Sequence, residues 1–213
     1  MIINKSRQFC YRIMHRENLG HVLKHGLVCK HHKNADSGFI SIGNIEIIDV
    51  RSSTSVKIQD FGNIGDYVPF YFTTRSIMLY NIVTGYQTPK VPQRAKNEII
   101  AIRCRIDTLA GQRNWFFTDG QANDDATTHF SDLQDLNKVD WDCILQGDFS
   151  KSVADYDKPR RYQAEFLVFN QVPVECIEAI CVYDDATEAW VQTKLDKAGL
   201  KIPILVNKHY FFD

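Results

Sequence analysis

In the stretch RRYQAEFLVFN, residues 160–170, a carboxylate stands at the mouth of an apolar strand, just after two arginines and a tyrosine. Phe166, Val168 and Phe169 are good β-formers, and Leu167 continues the apolar run. Alternation puts Glu165 with Leu167 and Phe169 on one face, and Phe166 with Val168 on the other. Both faces are apolar, so the strand is expected to be central and its acid buried or in a cleft. A carboxylate so placed needs a partner or a ligand, either as half of a structural ion pair or as the working group of a site.

Three arginines offer complementary chemistry. Arg12, in YRIMH on an early apolar strand, has a guanidinium fork suited to a structural carboxylate or to a phosphate or ribose ligand. Arg51 lies in a long irregular stretch, where arginines are commonly just solvated. Arg75, in TTRSIML, opens a helix after a strand, where its charge opposes the helix dipole unless an anion is present. Tyr71 and Phe72 close the VPFYF strand, as core packing or as a wall for a planar ring. His15, His21, His25, His31 and His32 invite a metal, and His21 and His25 have helical i,i+4 spacing. No acid or cysteine completes a closed set with them, so no metal is expected. Walker, GxGxxG and GxSxG patterns are absent.

Basic residues gather in two stretches, Lys90 to Arg113 and Lys151 to Arg161, with Trp115, Phe149, Tyr156 and Tyr162 close by. Such stretches are usually solvated faces; interleaved with rings, they are also what single-stranded nucleic acid requires.

The elements that must position these residues are mostly strands. FCYRIMH, DYVPFYF, NEIIAIRCRI, NWFFT, the Glu165 strand, IEAICV and KIPILVN read as strands. RENLGHVLKHGL, TRSIMLYNIVTG and ATEAWVQTKLDKAG read as helices, the first two closed by glycine. Residues 28–65 are turn-rich, with IGNIEIIDVRSSTS only ambiguously periodic, and loops of such length are more often functional than idle. DDATTHFSDLQDLNKVDWDCI reads as helix, loop and short turn. The fold class is α+β: one domain over 1–213, with a central mixed β core and flanking helices.

The chain has 213 residues, 44% hydrophobic and 24% charged, enough for a sizeable core without staples. A formal net charge of -1 excludes a globally basic nucleic-acid coat but not a local basic groove. The six cysteines show no CxxC spacing, so neither a disulfide scaffold nor a zinc site is expected. The opening MIINKSRQFC does not read as a signal peptide, and no apolar run is long enough to span a bilayer. A soluble protein of a reducing compartment is expected.

DYVPFYFTTRSIMLYNIVTG, then FFTDG, VDWDCI and RYQAEFLVF, in that order, resemble the DarT family of DNA ADP-ribosyltransferase toxins over nearly the whole chain. The resemblance implies an ADP-ribosyltransferase-like fold, NAD as co-substrate, and transfer of ADP-ribose to a base of single-stranded DNA, usually thymine. It also implies a bacterial cytoplasmic setting and a macrodomain antitoxin, DarG. Glu165 matches the family's catalytic glutamate, and Arg51 the arginine paired with it in catalysis and NAD binding. Arg12, Ile13, Met14 and Tyr71 fall where NAD is held; Arg12 stands where relatives carry arginine or histidine. Residues 118–164 resemble the substrate-recognition loop. Arg75, Tyr80, Trp115, Arg160 and Arg161 are the DNA-contacting residues of this reading. Glycosidic cleavage builds oxocarbenium-like charge on the ribose, which a carboxylate at its 2′-hydroxyl would stabilise. Arginine is a weak base, so Arg51 is expected to position rather than to accept a proton. The other readings are transfer to guanine, RNA or protein, or a non-catalytic nucleic-acid-binding module.

Overall fold

The structure, a computed structural model, describes residues 8–212. Most of the opening segment read for a leader therefore lies outside the described residues. Eight strands form one sheet in the order β10-β9-β4-β1-β3-β7-β5-β6: β1 (Phe9–His15), β3 (Tyr67–Tyr71), β4 (Ile99–Arg105), β5 (Trp115–Thr118), β6 (His129–Phe130), β7 (Glu165–Phe169), β9 (Ile177–Val182) and β10 (Ile204–Val206). All neighbours are antiparallel except β9 and β10, so the sheet is mixed. A separate ladder joins β2 (Leu27–Val28) to β8 (Gln171–Val172). The α+β class with a central mixed sheet is as expected.

Alternation along the strands fills two faces. Met14 of β1, Ile100 and Ile102 of β4, and Phe166 and Val168 of β7 enter the large cluster. That cluster packs against α1 (Leu19–His25), α4 (Ile106–Ala110), α5 (Trp141–Gln146) and α7 (Asp185–Ala198) through Val22, Leu109, Trp141 and Val191, among others. Each fully buried aliphatic or phenyl side chain there contributes about 1.5–3 kcal/mol. The opposite face is covered by two separate clusters. Ile13, Ala101 and Cys181 pack under α3 (Ile77–Thr84). Leu167 and Phe116 pack with Val56, Ile64 and Ala122. By strand parity Glu165 belongs to this divided face.

The sheet is also weakest beside Glu165. β1 and β4 are in register from Phe9↔Arg105 to His15↔Ile99, whereas β1 and β3 register at Tyr11↔Tyr71 alone. Pro69 has no N–H for a ladder, and its carbonyl accepts from Arg12 Nη1 at 3.2 Å. A side chain thus bridges a seam that backbone bonds leave open.

Three local expectations change. The ambiguous segment around Arg51 is a helix, α2 (Ile45–Ser53), capped by Asn44 Oδ1, which accepts from Glu46 N–H. The helix expected to open the stretch after residue 123 does not form. Asp119, Asp124 and Asp132 accept hydrogen bonds from the nearby backbone N–H groups of Thr128, Ala126 and Gln134, which competes with helix. A short α6 (Lys158–Tyr162), with Pro159 in its first turn, forms within the second basic stretch, where no element was expected. All six cysteines are free and buried.

Candidate active site

Glu165 opens β7 and is 1% exposed. Its Oε1 accepts from Arg51 Nη1 at 2.9 Å and its Oε2 from Arg51 Nη2 at 2.8 Å, a fork-to-fork pair. Oε1 also accepts from the Ala122 N–H at 3.0 Å. The Glu165 backbone N–H donates to Thr118 Oγ1 at 3.0 Å, and that hydroxyl donates to the Gly120 carbonyl at 2.6 Å. Among the described residues, the hydrogen bonds to the carboxylate therefore come from α2 and from the loop after β5.

That loop has its own support. His129 Nδ1 accepts from the Lys57 N–H at 3.0 Å, so the proton sits on Nε2, which donates to the Ala122 carbonyl at 3.0 Å. Burial lowers the His129 pKa, consistent with this neutral tautomer, and the ring stacks on Phe116 at 5.0 Å. Lys57 Nζ donates to the carbonyls of Asp124, Asp125 and Thr127.

Arg12 is half-buried beside the pair, and among the described residues no carboxylate lies within ion-pairing distance of it. Burial and the like charge of Arg51 lower its pKa to about 10, against the smaller opposing effects of Tyr71 and Glu165. A desolvated cation without a counter-charge is a site prepared for an anion. Burial alone would lower Arg51 as well, but the Glu165 charge and hydrogen bonds outweigh it and its pKa is raised. Tyr71 is raised by burial and then by the Glu165 charge, so its phenol stays protonated.

Around this centre lies a cleft of three adjoining lobes that share lining residues. One lobe of about 150 Å³ is lined by Arg12, Ile13, Met14, Arg51, Tyr71 and Glu165 among others. A second, of about 350 Å³, continues past Arg12 and Phe39 toward His21 and Asp49. A third, of about 210 Å³, lies on the α3 side, where Met78, Asn81, Gln121 and Gln163 join Arg51 and Glu165.

The structure thus brings Glu165, Arg51, Arg12, Ile13, Met14 and Tyr71 to one cleft. Arg75 and Tyr80 meet a different cluster: the Arg75 guanidinium lies 4.6 Å over the Phe212 ring, and Tyr80 packs on Phe212 and Phe149 at 5.4 Å each. Arg160 and Arg161 are committed to carboxylates, Arg160 to Asp157 and Asp119, and Arg161 to Asp140, Asp155 and Asp157. Trp115 stacks on Phe166 at 5.2 Å, at the end of β5 away from Glu165. Sequence reasoning passed over His129 and Lys57; with no periodic element around them, only their closure of the loop across 72 residues identifies them. Among the described residues no group of three or more His, Cys, Asp or Glu is arranged to hold a metal, and no helix is long and apolar enough to cross a membrane.

Residues 11–212 match the family model described as "ssDNA thymidine ADP-ribosyltransferase, DarT". A DNA ADP-ribosyl transferase of Escherichia coli O127:H6 (strain E2348/69 / EPEC) is 30% identical over 211 residues, covering 99% of this chain and 96% of the relative. The structure of Thermus sp. 2.9 DarT in complex with ADP-ribosylated ssDNA superposes with a TM-score of 0.86 at 26% identity, covering 97% of each chain. The same enzyme in complex with NAD+ gives 0.84 at 25% identity, covering 99% of this chain and 100% of that one. With the match spanning residues 11–212, the chain belongs to the DarT family of NAD-dependent single-stranded DNA thymidine ADP-ribosyltransferases.

Proposed function

We propose that the cleft around Arg51 and Glu165 carries out ADP-ribosyl transfer from NAD to a thymine of single-stranded DNA, with Glu165 as its catalytic carboxylate. The observation that supports this most is that carboxylate, 1% exposed yet lining the same cleft as a guanidinium that has no carboxylate partner among the described residues. NAD supplies the ADP-ribosyl group: its ribose–nicotinamide bond breaks, the electron pair leaves on nicotinamide, and positive charge builds on the ribose. Glu165 opposes that charge, an interaction that strengthens as the charge grows and so favours the transition state. Arg12 takes the pyrophosphate, the ligand its uncompensated charge fits. Ile13, Met14 and Tyr71 form the wall of the nicotinamide side. Arg51 holds the Glu165 carboxylate by both oxygens, and with its pKa raised it is no proton acceptor. One proton is released per transfer, from the thymine ring nitrogen that bonds to the ribose.

A paired base cannot offer that nitrogen, so the acceptor strand is single. Arg75 and Tyr80 supply charge and stacking for neighbouring nucleotides through the Phe212 cluster. Arg160 and Arg161, tied to four aspartates, hold the recognition loop, and Trp115 secures β5. One domain over 1–213, the bacterial cytoplasm and a DarG-type macrodomain antitoxin complete the reading. The test is nicotinamide release with single-stranded DNA, duplex DNA or neither. Release only with the single strand is expected; equal release without DNA would move the acceptor to water or protein.

A further inference from the structure

The lobe of the cleft on the α3 side holds a residue that takes no part in the Glu165–Arg51 pair or its support. Asn81 is 8% exposed, its side chain lines the cavity shared with Arg51 and Glu165, and among the described residues its amide makes no hydrogen bond. Helix α3 does not need it. Ser76 Oγ caps the N-terminus by accepting from the Leu79 N–H, and Gly85 closes the C-terminus in the left-handed region at φ 71°. Neighbouring Leu79 and Ile82 are fully buried, so an apolar side chain at 81 would suit the packing. The amide opens on the cavity rather than being sealed in the protein, so a base bound there can take the place of the water it would otherwise bond. Two more carboxamides face the same space. Gln163 donates Nε2 to the Pro159 carbonyl at 3.0 Å, and the Gln121 amide makes no hydrogen bond among the described residues.

The ligand chemistry follows from the base. In a thymidine the first ring nitrogen carries the sugar, leaving one N–H, flanked by two carbonyls. When that nitrogen attacks, its negative charge spreads onto both carbonyl oxygens. An amide N–H aimed at either oxygen stabilises the charge as it forms. Cytosine replaces one carbonyl with an amino group, so a donor there meets a donor.

We infer that Asn81 is a specificity-determining residue, its Nδ2–H donating to a carbonyl oxygen beside the attacking ring nitrogen of thymine. This rests on the proposed thymine transfer, and the test separates the two. Wild type, Asn81→Leu and Asn81→Asp are compared on single-stranded oligonucleotides carrying one thymine, 2-thiothymine or 4-thiothymine. Transfer is followed by mass spectrometry and NAD binding by thermal shift. Both variants are expected to bind NAD as wild type does and to transfer to thymine about 10- to 150-fold more slowly, one lost hydrogen bond to a charged group. A thiocarbonyl accepts hydrogen bonds poorly, so wild type should lose rate on one of the two thio bases, and Asn81→Leu should lose much less on that base. Undiminished transfer by the variants would overturn the assignment. So would slower transfer with the thio penalty intact, which marks a packing effect. Because Asn81→Asp keeps the side-chain shape, it decides the matter if leucine disturbs α3. Wild type failing on thymine itself would instead overturn the transfer reading beneath.

Discussion

Removing Arg51 should cost the fold as well as the reaction. Glu165 is 1% exposed and the Arg51 side chain 13%, so neither charge can recover its hydration without moving. Arg51→Ala leaves a buried carboxylate with one N–H donor, that of Ala122, against the three it has now. Breaking a fully buried pair from one side costs about 3–5 kcal/mol; with the cleft admitting water beside Arg51, the low end of about 3 is the fitting figure. For a chain of this size, about 2–4 °C per kcal/mol gives a Tm lower by roughly 6–12 °C. Glu165→Leu strands the guanidinium and should cost a similar amount. The double variant Arg51→Ala/Glu165→Leu removes both charges and should be no less stable than either single, a coupling of about 3 kcal/mol. Urea melts of the four proteins measure it. Additive losses would refute the claim that these groups exist in the fold chiefly for each other.

Arg12→Gln removes a half-buried charge without a carboxylate partner, so stability should hold or rise slightly while NAD binding weakens by about tenfold or more; titration calorimetry beside a thermal melt separates the two effects. His129 is held neutral by burial, its folded pKa below its unfolded value near 6.5. Below that pH the unfolded chain takes up a proton that the folded one does not. Stability should therefore fall as pH drops through about 6.5, and His129→Gln should flatten the dependence. Thr118→Val keeps shape but strands the Glu165 N–H and the Gly120 carbonyl; denaturant melts should report a loss of about 1–3 kcal/mol. Gly120→Ala would bring a Cβ within 2.3 Å of Arg160 Nη1 and 2.9 Å of Thr127 Oγ1. It should loosen the loop and reduce transfer more than NAD binding.

The residues of β7 announced their own placement, because an acid ending a strand apolar on both faces has few places to go but a cleft. Arg51 was different. Its helix buries none of its residues, so α2 lacks the apolar stripe that periodicity detects, and family resemblance alone singled out its arginine. The stretch opening at Asp124 misread as helix because Asp124 and Asp132 cap their own turns, a competition invisible to a residue count. Arg160 and Arg161 illustrate the limit of reading charge runs. Their partner aspartates include Asp119 and Asp140, far along the chain, and only folding reveals that the charges are spent. Asn81 gave no signal because one amide on an apolar helix looks like tolerance until the cavity beside it is seen.

If Glu165 drives transfer of ADP-ribose to thymine, its removal abolishes the product. A mixed-sequence single-stranded oligonucleotide, incubated with NAD and either wild type or Glu165→Ala, is read by mass spectrometry with fragmentation. One added ADP-ribose on thymine is expected with wild type, and none with the variant. An oligonucleotide left unmodified by wild type, or modified equally by Glu165→Ala, would contradict it.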